Sequence, residues 1–102
     1  MVTWGDISRE YSAEQLAGGV QLPVDFPENP FCEAFDRVDA AVAAKQAFET
    51  IQVKKIFHGR EGRDDFAKAV ADTEAQRAPL AAAIAHAMTP VSHKITITQV
   101  AP

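Results

Sequence analysis

The sequence predicts an α+β fold that is mainly helical, with two long antiparallel helices (about residues 30–58 and 63–88) and a small antiparallel sheet. Apolar residues recur at intervals of three and four along both long segments, which is the period of an amphipathic helix. Short β-branched and aromatic runs near both ends of the chain are typical of strands. With 102 residues, the chain is predicted to hold a single small domain at most.

An N-terminal hairpin and the C-terminal strand form the predicted sheet. The runs 2–4 and 7–11 are separated by Gly5-Asp6, and a glycine in the first position of a two-residue loop favours a type II′ turn. Near the other end, Ile95 and Ile97 alternate with threonines in the pattern of a half-buried strand. Because a two-stranded ribbon is marginal in water, we expect both ends of the chain to meet in one sheet.

Local signals place the helix boundaries. Ser12 and Gln15 have the spacing of a capping box, and Gly18-Gly19 can end the short helix that they begin. The stretch 20–28 contains two prolines and is predicted to be an extended connection. Asn29-Pro30 then begins the first long helix, as an N-cap followed by proline in the first helical position.

A charged loop and a proline shape the predicted helical pair. The loop Gly59-Arg60-Glu61-Gly62 is short, and short connections favour antiparallel neighbours. Asp64 and Asp65 fall in the first turn of the second helix. Since Pro79 removes one backbone hydrogen bond and clashes with the preceding turn, we predict a kink near residues 75–78.

Composition excludes several classes of protein. Hydrophobic residues make up 47% of the chain and charged residues 24%, as in ordinary globular domains. The net charge of −4 argues against sequence-independent binding to nucleic acid. No apolar run approaches the roughly 18–20 residues that a membrane span needs. Residues 1–5 lack the basic and apolar regions of a signal peptide, so the sequence leaves the compartment open.

No residue pattern indicates a catalytic, cofactor-binding or metal site. The three histidines, His58, His86 and His93, have no second ligand at metal-binding spacing. The histidines are interpreted as polar surface or helix-end residues, and His58 is the best candidate for another role because it borders the charged loop. Cys32 lies near a helix N-terminus, but no base is paired with it, so it is interpreted as a small buried apolar residue.

The charged clusters are interpreted as structural. Lys54-Lys55 and Arg60–Arg63 form the basic cluster, which neutralises the end of a helix more simply than it binds an acidic partner. Seven carboxylates make the N-terminal part acidic and are interpreted as a solvated face: Glu10, Glu14, Asp25, Glu28, Glu33, Asp36 and Asp39.

Four stretches carry a resemblance to a known family. They are Tyr11–Leu22, Asn29-Pro30-Phe31, Val42–Thr50 and Pro90–Ile97. Together they resemble the C-terminal region of bacterial GDSL (SGNH-type) ester hydrolases, and the similarity covers about residues 2–100. The resembling motifs describe packing rather than chemistry.

The chain departs from that family where the family does its chemistry. The family performs acyl transfer with a serine in a Gly-Asp-Ser block, an oxyanion hole and an Asp-x-x-His pair. Here Ile7 separates Gly5-Asp6 from Ser8, and no histidine has an aspartate three residues before it. The resemblance therefore places the catalytic blocks upstream of Met1, and Ser8 and His93 inherit no catalytic role.

The resemblance implies that the chain is a C-terminal fragment of a larger hydrolase, a non-catalytic structural segment of an enzyme acting on ester bonds. Its partner would be the catalytic domain of the parent enzyme or another copy of itself. The alternative is an autonomous helical-hairpin module that binds a protein, and a small independent enzyme built on His58 is a third interpretation. A stand-alone domain should hide its phenylalanines together, whereas a severed segment leaves them exposed. The residues that decide are Phe31, Phe35, Phe48 and Phe66.

Overall fold

The computed structural model describes residues 1–101 and confirms an α+β, mainly helical fold. It contains two compact units. We call the first, Met1–Glu33 with the chain from Pro90 onwards, the sheet unit. We call the second, Ala34–Thr89, the helical hairpin.

The sheet unit contains a three-stranded antiparallel sheet, as predicted. Its strands are β1 (Val2–Trp4), β2 (Ile7–Arg9) and β3 (Ile95–Ile97), in the order β2-β1-β3. Gly5 has a φ of 63°, and no non-glycine residue of the described chain has a positive φ. A type I′ turn needs a positive φ at both central residues, whereas a type II′ turn needs it only at the first. The hairpin turn at Gly5-Asp6 is therefore type II′.

The core of the sheet unit is small. Val2, Trp4 and Phe26 are buried, and the rings of Trp4 and Phe26 meet edge to face at 6.0 Å. Ile95 and Ile97 lie opposite the two buried residues of β1, and opposite residues share a face of the sheet. Both isoleucines are nevertheless exposed, because the core covers β1 and does not extend over β3.

Two short helices follow the hairpin. Helix α1 (Ala13–Ala17) begins with both hydrogen bonds of the predicted capping box, and Gly19 leaves it in the left-handed conformation at φ 86°. The expectation of an extended connection over 20–28 is wrong in part, because Leu22–Asp25 forms helix α2. Its proline occupies the first turn, where a missing N–H costs no intrahelical hydrogen bond.

The first long helix begins and ends differently from the prediction. Asn29 accepts a hydrogen bond from the Phe31 amide as expected of an N-cap, and α3 spans Cys32–Ile51. The chain then continues as a π-helical segment over Gln52–Phe57. The His58 amide accordingly donates five residues back, to Val53, at 3.3 Å. The predicted helix over 30–58 is therefore continuous but wider at its end.

The tip of the hairpin contains a helix where a loop was predicted. Helix α4 spans Arg60–Asp64, and the second long helix, α5, spans Phe66–Ala87 rather than beginning at residue 63. Asp65 caps α5 by accepting from the Lys68 amide. Helix α5 runs unbroken through Pro79, and the kink stays a prediction.

Four side-chain contacts join α3 and the π-helical segment to the second arm of the hairpin: Phe57 with Phe66, Gln52 with Thr73, Glu49 with Arg77, and Arg37 with Thr89. In these four pairs, a lower residue number on the first arm goes with a higher number on the second arm. The two arms are therefore antiparallel, as predicted. The buried contact is polar: Gln52 donates to the Thr73 hydroxyl at 3.0 Å, and that hydroxyl donates to the Ala69 carbonyl at 2.6 Å. No fully buried side-chain nitrogen or oxygen among the described residues lacks a hydrogen-bond partner.

Candidate functional site

His93, which precedes β3, is the histidine that contacts the core of the sheet unit. Its Nδ1 accepts a hydrogen bond from the Trp4 indole N–H at 3.0 Å, and its ring lies 4.7 Å from the Phe31 ring, edge to face. Because Nδ1 accepts, the neutral ring carries its proton on Nε2. The imidazole joins β3 to the core, and its Nδ1 is occupied by the indole.

Tyr11 and Asp25 form a second polar pair in the sheet unit. The Tyr11 hydroxyl donates to Asp25 Oδ2 at 2.8 Å, which ties the chain after β2 to the end of α2. Desolvation raises the pKa of Tyr11 above its ordinary value of 10.0, and the hydrogen bond and negative charge of Asp25 raise it further. The pair stabilises the neutral phenol rather than activating it as a base.

The raised pKa of Tyr11 predicts an alkaline titration that can be measured directly. Tyr11 is the one tyrosine of the chain, so tyrosinate absorbance reports it alone. We expect a midpoint above 10.0 in the folded chain, lower in an Asp25→Asn variant, and about 10 in urea. Because the folded pKa is the higher one, this contribution to stability is complete below the unfolded pKa and is lost as pH rises through the folded pKa. A folded midpoint at or below the one in urea would contradict the pairing.

Four carboxylates line a cleft of about 450 Å³ between α4 and α5: Glu61, Asp64, Asp65 and Asp72. Lys68 contacts Asp72 at 2.6 Å, Asp65 caps α5, and Arg60 lies 3.6 Å from Asp64. The hydrogen bond that the Lys68 ammonium donates to Asp72 raises the pKa of Lys68. No group of three or more potential metal ligands occurs among residues 1–101. Three of the lining carboxylates, Asp64, Asp65 and Asp72, are thus engaged by a neighbouring cation or by a helix N-terminus.

The other residues singled out from the sequence lie apart from one another. His58 is exposed and ends the π-helical segment, and His86 is exposed in the last turn of α5. The Cys32 thiol is half-buried and donates to the Pro27 carbonyl at 3.3 Å. The Ser8 hydroxyl pairs with Thr3 across the sheet at 2.8 Å. The structure does not bring any two of these four side chains together.

Sequence reasoning missed an ion-pair network between the hairpin arms. Glu49 lies 3.1 Å from Lys45 on its own helix and 3.6 Å from Arg77 on α5, and Arg77 also bonds Glu74 at 2.9 Å. Hydrogen bonding and the charge of Glu74 raise the pKa of Arg77. The spacing of Lys45 and Glu49 is readable as an i,i+4 pair, whereas the contact with Arg77 requires the alignment of the two arms.

Exposed apolar side chains are the most prominent surface feature of both units. Of the four phenylalanines chosen from the sequence, Phe31 and Phe48 are half-buried, whereas Phe35 and Phe66 are exposed. In the sheet unit, Leu16, Ile97 and Val100 are exposed around one cleft. Such patches on a small protein are typical of surfaces that contact another macromolecule.

No helix within residues 1–101 is long and apolar enough to cross a membrane. In comparisons with known proteins, no family model, curated protein or solved structure matches this chain.

Proposed function

We propose that this chain is a non-catalytic structural segment of an ester hydrolase of the GDSL (SGNH) type and packs against the catalytic domain of that enzyme. The resemblance of residues 2–100 to the C-terminal region of that family motivates the proposal. The exposed apolar surface of the sheet unit is the observation that carries it.

The docking surface of the sheet unit is an apolar cleft of about 440 Å³. Met1, Leu16, Ile97 and Val100 line it, and each of these side chains is exposed. Tyr11 contributes a half-buried ring to the same wall. Burying such side chains against a neighbouring domain releases roughly 25 cal/mol for each Å² removed from water, so a covering domain would stabilise this face.

The polar side chains of the sheet unit also support a structural role. Their reactive atoms are used in bonds that hold elements together: Trp4 with His93, Tyr11 with Asp25, and Thr3 with Ser8. Freeing one of these atoms to act as a nucleophile or base would remove a side-chain bond between two segments of the sheet unit.

Labelling with a fluorophosphonate probe for serine hydrolases tests the proposal on the chain itself. We expect no covalent adduct by mass spectrometry, with an active GDSL-type esterase as the positive control. A stoichiometric adduct that a Ser8→Ala or Ser92→Ala variant abolishes would overturn it. The in-frame sequence before Met1 gives a second test: a Gly-Asp-Ser block there supports the proposal, and a stop codon followed by a ribosome-binding site overturns it.

The alternative, an autonomous module that binds a protein through the hairpin, has an observation of its own. Phe35, Phe66 and Met88 of the hairpin are all more than half exposed. The hairpin therefore offers an apolar surface that does not depend on the cleft of the sheet unit.

A further inference from the structure

Five of the six exposed large apolar side chains of the helical hairpin lie on one side, and Ile51 is the exception. Phe35 and Val53 are five helical turns apart on the first arm, at about 3.6 residues a turn. Val70 on α5 is likewise five turns from Met88, which directly follows that helix. Each pair therefore points in one direction along its arm. We call these four residues, together with Phe66, the hairpin face.

The two arms contribute to the same side. Each of these four residues directly follows a residue that is less exposed. Gln52 and Ala69, which precede Val53 and Val70, are buried, and Ala34 and Ala87, which precede Phe35 and Met88, are half-buried. One residue advances a helix by about 100°. When two antiparallel helices face each other, a rotation of about 100° from the facing residues points to the same side of the pair on both helices. The exposed residues of the first arm and of the second arm therefore lie on the same side. Phe35 and Met88 thus lie at the open end of the hairpin, and Val53 and Val70 lie towards its tip.

The hairpin face presents much of the apolar area that a dimer interface needs. Phe35 is 66% exposed, Met88 63%, Phe66 56%, Val53 45% and Val70 36%. Since one large side chain presents roughly 150–250 Å², together they leave on the order of 500 Å² of apolar surface uncovered. A standard interface buries about 800 Å² on each partner, and homodimer interfaces are about 65% apolar. Complete burial of all five would supply most of that apolar share, in two patches at the ends of the face, because the ion pair of Glu49 with Arg77 lies on the same side between them.

Charges on the first arm select the orientation of a partner. Its N-terminal half has Glu33, Asp36 and Asp39 against Arg37, and its C-terminal half has Lys45, Lys54 and Lys55 against Glu49. Asp36 and Lys54 directly follow Phe35 and Val53, so both lie along the outer rim of the hairpin face. Two copies of this arm placed antiparallel bring the acidic half of each against the basic half of the other, whereas a parallel arrangement opposes like charges.

We propose that a second copy of this chain covers the hairpin face and forms an antiparallel four-helix bundle with twofold symmetry. The first arms of the two copies pack against each other, with Phe35 and Met88 of each over Val53 and Val70 of the other. Asp36 of each copy then faces Lys54 of the other. The inference names the partner of the hairpin, and it holds whether or not the sheet unit belongs to an ester hydrolase.

Sedimentation equilibrium of the full chain tests the dimer. We expect a mass twice the 11.0 kDa of the chain and a monomer for Phe35→Asp, which places a charge in the face. The matched control is Ile51→Asp, because Ile51 is exposed on the same arm but lies about 160° away from Phe35. This control should stay dimeric. A monomeric wild-type chain, or equal dissociation of both variants, would overturn the proposal.

A charge exchange tests the orientation. Asp36→Lys alone should weaken the dimer about tenfold or more, because it opposes Lys54 of the second copy with a like charge. Adding Lys54→Asp should restore the wild-type dissociation constant, which also shows that the single variant failed through charge and not through folding. A double variant no tighter than the single one would exclude the antiparallel pairing. A monomer that takes up no fluorophosphonate would remove this inference alone, and a dimer that is labelled would remove the hydrolase-segment proposal alone.

Discussion

Replacing Phe26 with alanine is expected to lower the free energy of unfolding of the sheet unit by about 3–5 kcal/mol. Phe26 is fully buried, and its ring packs edge to face on Trp4. The buried cluster of this unit consists of Val2, Trp4 and Phe26. Few other buried side chains could therefore move to fill the cavity that the substitution leaves. Urea unfolding followed by the fluorescence of Trp4, the one tryptophan of the chain, measures the loss.

Val24→Ala is the matched control for Phe26→Ala. Val24 lies in the same short helix region but is 73% exposed, so its truncation should change the free energy of unfolding by no more than about 0.5 kcal/mol. Equal losses in the two variants would mean that the side chain of Phe26 is not at the centre of this core.

Replacing Gly62 with alanine is expected to destabilise the helical hairpin by about 1–3 kcal/mol or more. A Cβ at this position would lie 2.1 Å from the Phe57 carbonyl oxygen, which is backbone and cannot rotate away. Helix propensity alone predicts the opposite sign, because Gly62 lies inside α4 and alanine is favoured over glycine there by about 1 kcal/mol. A lower unfolding temperature by calorimetry would show that close packing decides the sign.

Gly18→Ala is the control for the glycine substitution. Gly18 has ordinary helical φ and ψ, and a Cβ there would be 3.4 Å from its nearest neighbour, the Glu14 carbonyl oxygen. We expect no loss of stability from this change. If Gly62→Ala were as stable as Gly18→Ala, the close approach of α4 to the π-helical segment would be refuted.

The local signals of the sequence predicted most of the sheet unit. The capping box at Ser12 and Gln15 and the type II′ turn at Gly5 depend on a few neighbouring residues, and a strict period of two indicated β3. The sequence predicted that β3 joins the hairpin in one sheet but not that it pairs with β1. Helix α2 was missed because its proline was weighed as a helix breaker, although the first turn of a helix tolerates it.

The tip of the hairpin could not be predicted from local signals. The π-helical segment over 52–57 and helix α4 form together, and the glycines at 59 and 62 admit the backbone of the preceding turns. In the sequence the same two glycines indicate only a loop. Similarly, the apolar period places Phe35 on an apolar stripe but does not state what covers that stripe, which depends on the contacts made by the other arm.

The positions of Trp4 and Tyr11 allow the two units to be observed separately without labels. Both residues belong to the sheet unit, and Ala34–Thr89 contains neither a tryptophan nor a tyrosine. The tryptophan and tyrosine bands of the near ultraviolet therefore come from the sheet unit, while most of the far-ultraviolet circular dichroism comes from α3, the π-helical segment and α5. Coincident melting of the two signals would indicate one cooperative transition, and separate midpoints would give each unit its own stability.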